Sequence, residues 1–274
     1  MTSSQEPTVF RPPGAAPAAG EFAAAIFDMD GVITDTAAVH SRAWKQMFDE
    51  YLQRRAEWGH EAFREFTHAH DYLSYVDGRP RYQGVAAFLE SRGIHLPQGT
   101  PDDRPDTESV CGLGNRKNEL FNQIIATDGV KVYASTLALI HEFLGAGIKV
   151  GLATSSRNSA LILERTQTAH LFATIVDGIV SERLGLKGKP QPDIFVTAAT
   201  NLGVPCPQAI VVEDAVTGVR AGAAGGFALV LGVARENNAK ELRENGADVV
   251  VGDLGEMNIA AIAKAIRAKS GKAS

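Results

Sequence analysis

Five short, almost uninterrupted apolar runs constrain the fold of this chain more than any other feature of its sequence. From Ile148 onward they alternate with segments whose apolar spacing is helical. Strands covered by helices on both faces have such continuous apolar character, so the pattern predicts βαβ units and an open, parallel α/β sheet. The predicted strands are Phe22–Phe27, Ile148–Ala153, Ala209–Val212, Phe227–Leu231 and Asp248–Val251, and the predicted crossover helices are Leu137–Leu144, Ser159–Thr168, Asp193–Leu202 and Val216–Gly225.

A helical insertion interrupts this alternation after the first strand. Its predicted helices are Val39–Leu52, Gln83–Ser91 and Asn118–Ile125. Because the insertion begins so close to the end of a strand, it should cover the edge at which open α/β sheets bind ligands. We therefore expect an α/β core of residues 21–37 and 129–274, a helical cap domain of residues 38–128, and a disordered tail of residues 1–20, which is rich in Pro, Ala, Ser and Thr.

The composition disfavours several classes of protein. The chain has 274 residues, a formal net charge of -5 and a pI near 5.8, whereas nucleic-acid and membrane partners normally require a basic surface. Cys111 and Cys206 are too few and too far apart for a zinc site or a disulfide framework, which favours a reducing compartment. No signal-peptide pattern is found, and no apolar run approaches the roughly 20 residues that span a bilayer. We expect a cytoplasmic monomer without a nucleic-acid or membrane partner.

Two aspartates follow the first predicted strand, in the run Asp28-Met29-Asp30-Gly31-Val32. Residues two apart in an extended chain point to the same side, so both carboxylates can face one ligand, and Gly31 then allows a sharp turn. This arrangement suits a nucleophile beside a general acid and base. An ordinary polar turn would contain the same residue types, so the pair alone leaves both interpretations open.

Three further segments supply the other parts that phosphoryl transfer needs. The hydroxyl groups of Thr154 and Ser155 can bind phosphate oxygens, and Lys189 can offset charge on the transferring group. Glu213 and Asp214 are hard oxygen ligands of the kind that Mg²⁺ prefers. Each segment alone also fits a helix cap or a solvated turn. Together with the aspartate pair, they favour a Mg²⁺-dependent phosphoryl-transfer site.

These segments resemble the four sequence motifs of the haloacid dehalogenase superfamily, and the resemblance extends over residues 22–255. Within the superfamily the chain is similar to the β-phosphoglucomutase subfamily. The superfamily motifs are Phe27–Thr36, Thr154–Ser156, Gly188–Pro190 and Glu213-Asp214, and the subfamily resemblance is carried by Thr36–Lys45, Asp77–Arg81 and Arg116–Asn118.

The resemblance implies a Rossmann-like core with a cap and assigns roles to its motifs. Asp28 would be phosphorylated and Asp30 would act as general acid and base, while Thr154, Ser155 and Lys189 would bind the transferring phosphate. The second aspartate excludes the dehalogenase reaction, which works without it. The implied Mg²⁺ ligands are the Asp28 carboxylate, the Asp30 carbonyl, Glu213 and Asp214.

The cap should distinguish a mutase from a hydrolase. A mutase must bind the far phosphate of a sugar bisphosphate, let the molecule turn round and keep water away, which requires basic cap residues. Arg81 and Lys117 are the candidates, with Arg79 as a third. The cap departs from the subfamily pattern because it is longer and because Asp77 stands where a lysine is common. The predicted substrate-binding residues are Thr36, His40, Gly78, Arg81, Lys117, Asn118, Ser156, Arg157 and Asn158.

The function expected from this resemblance is the interconversion of β-D-glucose 1-phosphate and glucose 6-phosphate through an aspartyl-phosphate and a bisphosphate. A phosphatase of sugar phosphates or other small molecules, with the same core, is the alternative. A phosphate-binding partner of a carbohydrate enzyme without catalysis is a third possibility, but the intact Asp28, Asp30, Lys189 and Asp214 argue against it.

Overall fold

The structure is a computed structural model that describes residues 22–59 and 62–271. The predicted tail therefore lies outside the described residues. The strands are β1 (Ala24–Phe27), β2 (Lys149–Ala153), β3 (Thr174–Val176), β4 (Ala209–Glu213), β5 (Leu229–Val233) and β6 (Val249–Val251). They form one sheet in the order β3-β2-β1-β4-β5-β6, and every pair of neighbours is parallel.

Helices cover both faces of this sheet and build the insertion after β1. They are α1 (Ala37–Glu57), α2 (Arg81–Ser91), α3 (Val110–Asp128), α4 (Ala134–Gly145), α5 (Ser159–Thr166), α6 (Gly178–Leu184), α7 (Asp193–Asn201), α8 (Val216–Ala224), α9 (Ala239–Glu244) and α10 (Ile259–Ser270), with a π-helix at His68–Val76. The predicted α/β class, the central parallel sheet and the helical insertion are confirmed. No helix within the described ranges is long and apolar enough to cross a membrane.

The central strands are formed by the residues that the sequence predicted, with bounds shifted by one or two positions. Every residue of β1, β4 and β5 is buried, as expected for strands that lie between two helical layers. β3 was missed because it has three residues and lies at the edge of the sheet, where Thr174 and Ile175 are only half-buried. Phe227 precedes β5 and packs its ring against Phe195, so its apolar character does not make it part of the strand.

The cap is built around a cluster of packed aromatic rings. Phe48 of α1 lies 5.1 Å from the ring of Phe66 and 4.1 Å from that of Phe88 on α2, and all three side chains are buried. Helix α3 begins earlier than predicted, at Val110, and the Ser109 hydroxyl accepts a hydrogen bond from the N–H group of Gly112 in its first turn. The apolar cluster of the cap continues into the core, so the two parts share buried surface.

Candidate active site

A cleft between core and cap opens at the carboxyl ends of β1, β2 and β4. Because β2 and β4 flank β1, the residues that follow these strands meet at one edge of the sheet. The cleft has a volume of about 70 Å³. All of the predicted site residues line it except Thr36 and Asn118, which contact residues that do.

Lys189 joins two carboxylates in this cleft. Its Nζ atom lies 2.5 Å from Asp28 Oδ1 and 2.5 Å from Glu213 Oε1, and all three side chains are buried. The second oxygen of Glu213 accepts the backbone N–H groups of Asp214 and Ala215, at 2.8 and 2.9 Å. Glu213 is thus fixed by the backbone where α8 begins, and it keeps Lys189 beside Asp28.

An acidic group suited to a cation adjoins this lysine. Carboxylate oxygens of Asp28, Glu213 and Asp214 lie within 4.8 Å of one another. Gly31 has a φ of 81°, and a Cβ atom there would lie 1.8 Å from Asp214 Oδ2, so only glycine allows this close packing. Three hard oxygen ligands in such proximity fit Mg²⁺. The carboxylate of Asp30 is not part of the group.

Burial and neighbouring negative charge raise the pKa values of Asp28 and Asp214. Burial, with Glu213 adding to it, raises the pKa of Asp28 to about 8 although Lys189 lowers it. Burial and Glu213 raise the pKa of Asp214 well above its ordinary value. Burial lowers the pKa of Lys189, but attraction to Asp28 and Glu213 outweighs this and raises it. A bound divalent cation would favour the ionised, nucleophilic form of Asp28.

The carboxylate of Asp30 faces α1 instead of the acidic group. Its Oδ1 atom accepts a hydrogen bond from the Thr36 hydroxyl and lies 3.3 Å from His40 Nε2. Burial raises the pKa of Asp30, but His40 and Thr36 lower it by more, so the pKa is below its ordinary value. Asp30 is therefore ionised at neutral pH and can accept a proton.

Lys117 of α3 contacts the other ring nitrogen of His40. The Lys117 Nζ atom lies 5.1 Å from the ring centre of Trp44 and 4.7 Å from that of Phe121, on which the His40 ring stacks. Burial lowers the pKa of Lys117 well below its ordinary value, and Arg81 lowers it further. Burial and Lys117 also lower the pKa of His40. Two cap residues of weakened basicity, His40 and Lys117, therefore lie close to Asp30, the predicted acid and base of the core.

The residues that follow β2 form another wall of the cleft. Thr154 is buried, and its Oγ1 atom accepts the N–H group of Ser156 at 3.1 Å. The Ser155 hydroxyl donates to the carbonyl of Gly78, 3.1 Å away in the cap. This bond ties the loop at the end of β2 to the loop that leads into α2.

Arginine and amide side chains form the end of the cleft beneath α2. Arg81 Nη2 donates to Asn118 Oδ1 at 2.7 Å, and the same oxygen accepts a hydrogen bond from Asn158 Nδ2 at 2.9 Å. Arg157 pairs with Glu182 of α6. Burial lowers the pKa of Arg81. Asn118 thus orients Arg81 and Asn158, both of which line the cleft.

Among the polar residues that line the cleft, Tyr72 was missed by sequence reasoning. It is buried in the π-helix, where the N–H group of Asp77 bonds to its carbonyl at 3.0 Å. Burial and Glu213 raise the pKa of Asp77 to about 7. The apolar periodicities of α-helices and strands do not reveal a π-helix. The five-residue spacing of Tyr72 and Asp77, which matches the hydrogen-bond spacing of a π-helix, was the one signal of it in the sequence.

Comparison with known proteins relates this site to one family. A sequence model described as haloacid dehalogenase-like hydrolase matches residues 22–226. A β-phosphoglucomutase of Mycobacterium bovis is 45% identical over 237 residues, which cover 85% of this chain and 90% of the relative. A β-phosphoglucomutase of Bacillus subtilis is 30% identical over 238 residues, which cover 86% of this chain and 92% of the relative.

The fold is also similar to that of proteins whose structures have been solved. The crystal structure of a β-phosphoglucomutase from Clostridium difficile superimposes with a TM-score of 0.68, at 22% sequence identity, over 91% of this chain and 99% of that chain. At this level of identity the similarity establishes the architecture of core and cap.

Proposed function

This chain belongs to the haloacid dehalogenase-like hydrolase family, and from that premise we propose that it is a Mg²⁺-dependent mutase that interconverts β-D-glucose 1-phosphate and glucose 6-phosphate. The proposal is supported by both relatives described above, which are β-phosphoglucomutases. The observation that carries it is the presence of two polar ends in one narrow cleft. Asp28 and Lys189 form one end, and Arg81 and Asn158 lie at the other.

The first step would phosphorylate the enzyme. An oxygen of Asp28 attacks one phosphorus atom of a bound glucose bisphosphate primer, and the bond from that phosphorus to the sugar oxygen breaks, so that a hexose monophosphate is released. The leaving oxygen takes up a proton through Asp30, which is ionised in the free cleft and therefore has to receive a proton before it can donate one. Lys189, 2.5 Å from Asp28, offsets negative charge on the phosphoryl group during the transfer.

The second step would return the phosphoryl group to a different hydroxyl. The C6 hydroxyl of β-glucose 1-phosphate attacks the aspartyl-phosphate, ionised Asp30 accepts the hydroxyl proton, and Asp28 is regenerated beside glucose bisphosphate. The bisphosphate then presents its other phosphate to Asp28, which completes the interconversion after one more transfer. Arg81 and Arg157, with Ser156 and Asn158, line the cleft and would bind the phosphate that is not reacting.

Magnesium would be bound by the carboxylates of Asp28, Glu213 and Asp214, with the Asp30 carbonyl as the further ligand that the family resemblance implies. Bound there, it supplies positive charge that lowers repulsion between the acidic group and the phosphate. The chain's own contribution is to fix the carboxylates: the backbone N–H groups of residues 214 and 215 and the Lys189 ammonium orient Glu213.

The cleft is narrow, which supports a closed state of core and cap. A buried water needs about 10–15 Å³ of cavity volume, so the cleft admits a few waters and is too small for a hexose phosphate. The cap therefore has to move to admit substrate and to let a bisphosphate turn. The contacts that such motion must break include the bond from Ser155 to Gly78, the bond from the Thr217 hydroxyl to the Asp77 carbonyl and the bond from Asn158 to Asn118.

The deciding experiment follows both products at once. The protein is incubated with Mg²⁺, β-glucose 1-phosphate and a glucose bisphosphate primer, while glucose 6-phosphate and free phosphate are measured together. A mutase forms mainly glucose 6-phosphate, whereas a phosphatase with the same core releases phosphate in proportion to the substrate consumed. Asp28→Asn is the control for both activities, because either reaction requires the nucleophile. Failure to form glucose 6-phosphate would overturn the proposal.

A further inference from the structure

We propose that the loop after β5 positions the acidic group for its cation, through the side chains of Arg235 and Asn238. The inference rests on the proposed Mg²⁺-dependent chemistry and deepens it, because it assigns positioning residues to the metal site. Neither residue lines the cleft. Both act on backbone groups that adjoin the implied Mg²⁺ ligands.

Arg235 holds the turn that follows Asp30. Its Nε atom donates to the carbonyl of Gly31 at 3.1 Å, while the N–H group of Gly31 donates to the Thr34 carbonyl at 2.8 Å. Glycine has unusual backbone freedom, so these two bonds, one on each side of Gly31, fix its conformation. The Asp30 carbonyl belongs to the peptide unit just before Gly31 and is oriented with it.

The contact from Arg235 to Gly31 crosses the end of a third strand. Strand β4 lies between β1 and β5, so residues that follow β1 and β5 stand about 10 Å apart, which is two strand spacings. A long side chain is needed to bridge that distance. The guanidinium of Arg235 is itself held, because it lies 3.7 Å from the ring centre of Tyr133 and its Nη1 atom donates to Asp253 Oδ2 at 3.0 Å. Arg235 is therefore a fixed bridge between the two strand ends.

Asn238 holds the other side of the acidic group. Its Nδ2 atom donates to the carbonyl of Asp214 at 3.2 Å, while the N–H group of Asp214 donates to Glu213 Oε2 at 2.8 Å. Asn238 is the N-cap residue of α9, a position at which an asparagine side chain normally accepts an N–H group of its own helix. The Asn238 side chain makes no such bond. It holds the backbone of Asp214 instead.

The two segments held by this loop touch each other. A Cβ atom at Gly31 would lie 1.8 Å from Asp214 Oδ2, so the Asp214 carboxylate packs directly against the turn that Arg235 holds. A shift of either segment would change the distance from the Asp214 carboxylate to the Asp30 carbonyl and to Asp28. Mg²⁺ is sensitive to such shifts, because it demands near-octahedral geometry with ligands at about 2.0–2.1 Å.

Stability alone does not explain the placement of Arg235 and Asn238. The Nη2 atom of Arg235 and the Oδ1 atom of Asn238 are buried and have no hydrogen-bond partner among the described residues. A buried polar atom without a partner destabilises the folded state. Both side chains thus leave one atom unsatisfied while another atom holds a backbone carbonyl beside the acidic group, as expected of positioning residues.

Charge and position predict opposite effects of removing Arg235. The guanidinium is a cation close to a cation site, so by electrostatics alone its loss should tighten the binding of Mg²⁺. If Arg235 holds the turn at Gly31, its loss should weaken that binding, because the ligands are no longer oriented. The direction of the change therefore separates the two roles.

The test measures Mg²⁺ binding by titration calorimetry on the full chain without substrate. Arg235→Met keeps most of the side-chain length and should raise the Kd for Mg²⁺ about tenfold. Arg235→Lys should restore part of the affinity, since lysine can bond to Gly31 or to Asp253 but not to both. Asn238→Ala should raise the Kd about threefold. Arg243→Met removes an exposed arginine from helix α9 and is the matched control, which should leave the Kd unchanged.

Each outcome decides. The inference is overturned if Arg235→Met binds Mg²⁺ as tightly as the wild-type protein or more tightly, or if Arg243→Met weakens binding equally. Should Arg235→Met fail to fold, the Kd values of Arg235→Lys and Asn238→Ala decide. A wild-type protein that does not bind Mg²⁺ would overturn the inference together with the metal requirement of the proposed function. Failure of the mutase function itself is seen separately, as absence of glucose 6-phosphate from a wild-type protein that binds Mg²⁺.

Discussion

His40 Nε2 lies 3.3 Å from Asp30 Oδ1, which makes an ion pair when the ring is protonated. The contact joins Asp30 of the core to the first helix of the cap. Lys117 contacts the opposite nitrogen of the same ring, so Asp30, His40 and Lys117 form a continuous chain from core to cap. Movement of the cap would alter the electrostatic surroundings of Asp30.

We expect His40→Asn to reduce kcat by about tenfold. This loss is smaller than the whole contribution of general acid and base catalysis, because Asp30 itself remains. His40 lowers the pKa of Asp30 against the effect of burial, so its loss should raise that pKa. The acidic limb of the pH profile of kcat should then move to higher pH, because more protons remain bound to Asp30. Gln46→Ala, at an exposed position of α1, is the control. An unchanged pH profile in His40→Asn would contradict the assigned role.

Asp28→Asn should abolish turnover with little loss of stability. The amide has the shape of the carboxylate but cannot attack phosphorus. Stability should persist because Lys189 retains Glu213 at 2.5 Å, and because one negative charge leaves a crowded buried group. The measurements are the rate of isomerisation and the free energy of unfolding in urea. A residual rate above about one hundredth of the wild-type rate would rule out an aspartyl-phosphate at this residue.

Asp214→Ala should sharply raise the Mg²⁺ concentration needed for half-maximal activity, since the cation loses one charged oxygen ligand. The metal-free variant should be no less stable than the metal-free wild type, because like-charge repulsion with Glu213 is removed. Activity is titrated with Mg²⁺ after treatment with EDTA. Wild-type activity that survives EDTA would show that the acidic group works without a cation.

The sheet could be predicted because β1, β2, β4 and β5 are short, buried runs of continuous apolar character. The polar groups of the site could be predicted because they follow these strands directly in the sequence. Prediction failed where tertiary contacts replace periodicity. The edge strand β3 is too short to form a recognisable run. Helix α3 extends through Gly112 and Gly114, and glycines weaken a helical pattern in the sequence. A Cβ atom at Gly114 would lie 2.7 Å from the ring of Tyr82, so this glycine allows α2 and α3 to pack closely.

Partners of the cap side chains could not be predicted either. Lys117 was expected at a phosphate, and in the structure it contacts His40 between two aromatic rings. Asn118 was expected to line the cleft, and it orients Arg81 and Asn158 instead. Residue type and spacing give the chemistry of a side chain, but its partner depends on how α1, α2 and α3 pack.

Arg81→Ala should weaken the use of sugar phosphates by about 1.5–3 kcal/mol, the range for a charge-assisted hydrogen bond. Weaker binding of the far phosphate should also leave the closed cleft less populated, so the ratio of free phosphate to glucose 6-phosphate should rise. An aryl phosphate, which has no second polar end, should be cleaved nearly as before. Equal losses on both substrates would mean that Arg81 supports the cap through Asn118 and does not bind substrate.

Asp71→Asn tests the stability of the cap through a buried carboxylate at the start of the π-helix. Asp71 accepts hydrogen bonds from the Thr67 backbone and hydroxyl at 2.8 and 3.0 Å and pairs with Arg92 at 3.1 Å. Burial raises its pKa, but these partners lower it by more, so the folded state favours the ionised form. Its contribution should therefore be complete above the unfolded pKa of about 4 and should be lost as the pH falls through the lower, folded value.

At pH 7 we expect Asp71→Asn to lower the free energy of unfolding by about 2 kcal/mol, since Arg92 loses its charged partner. The difference from wild type should shrink in acid, as the wild-type carboxylate also becomes neutral. Urea unfolding at pH 7 and below pH 4 measures both values. Asp102→Asn, at an exposed position, should be neutral at either pH. A loss that is the same at both pH values would mean that the shape of the side chain, and not its charge, stabilises the cap.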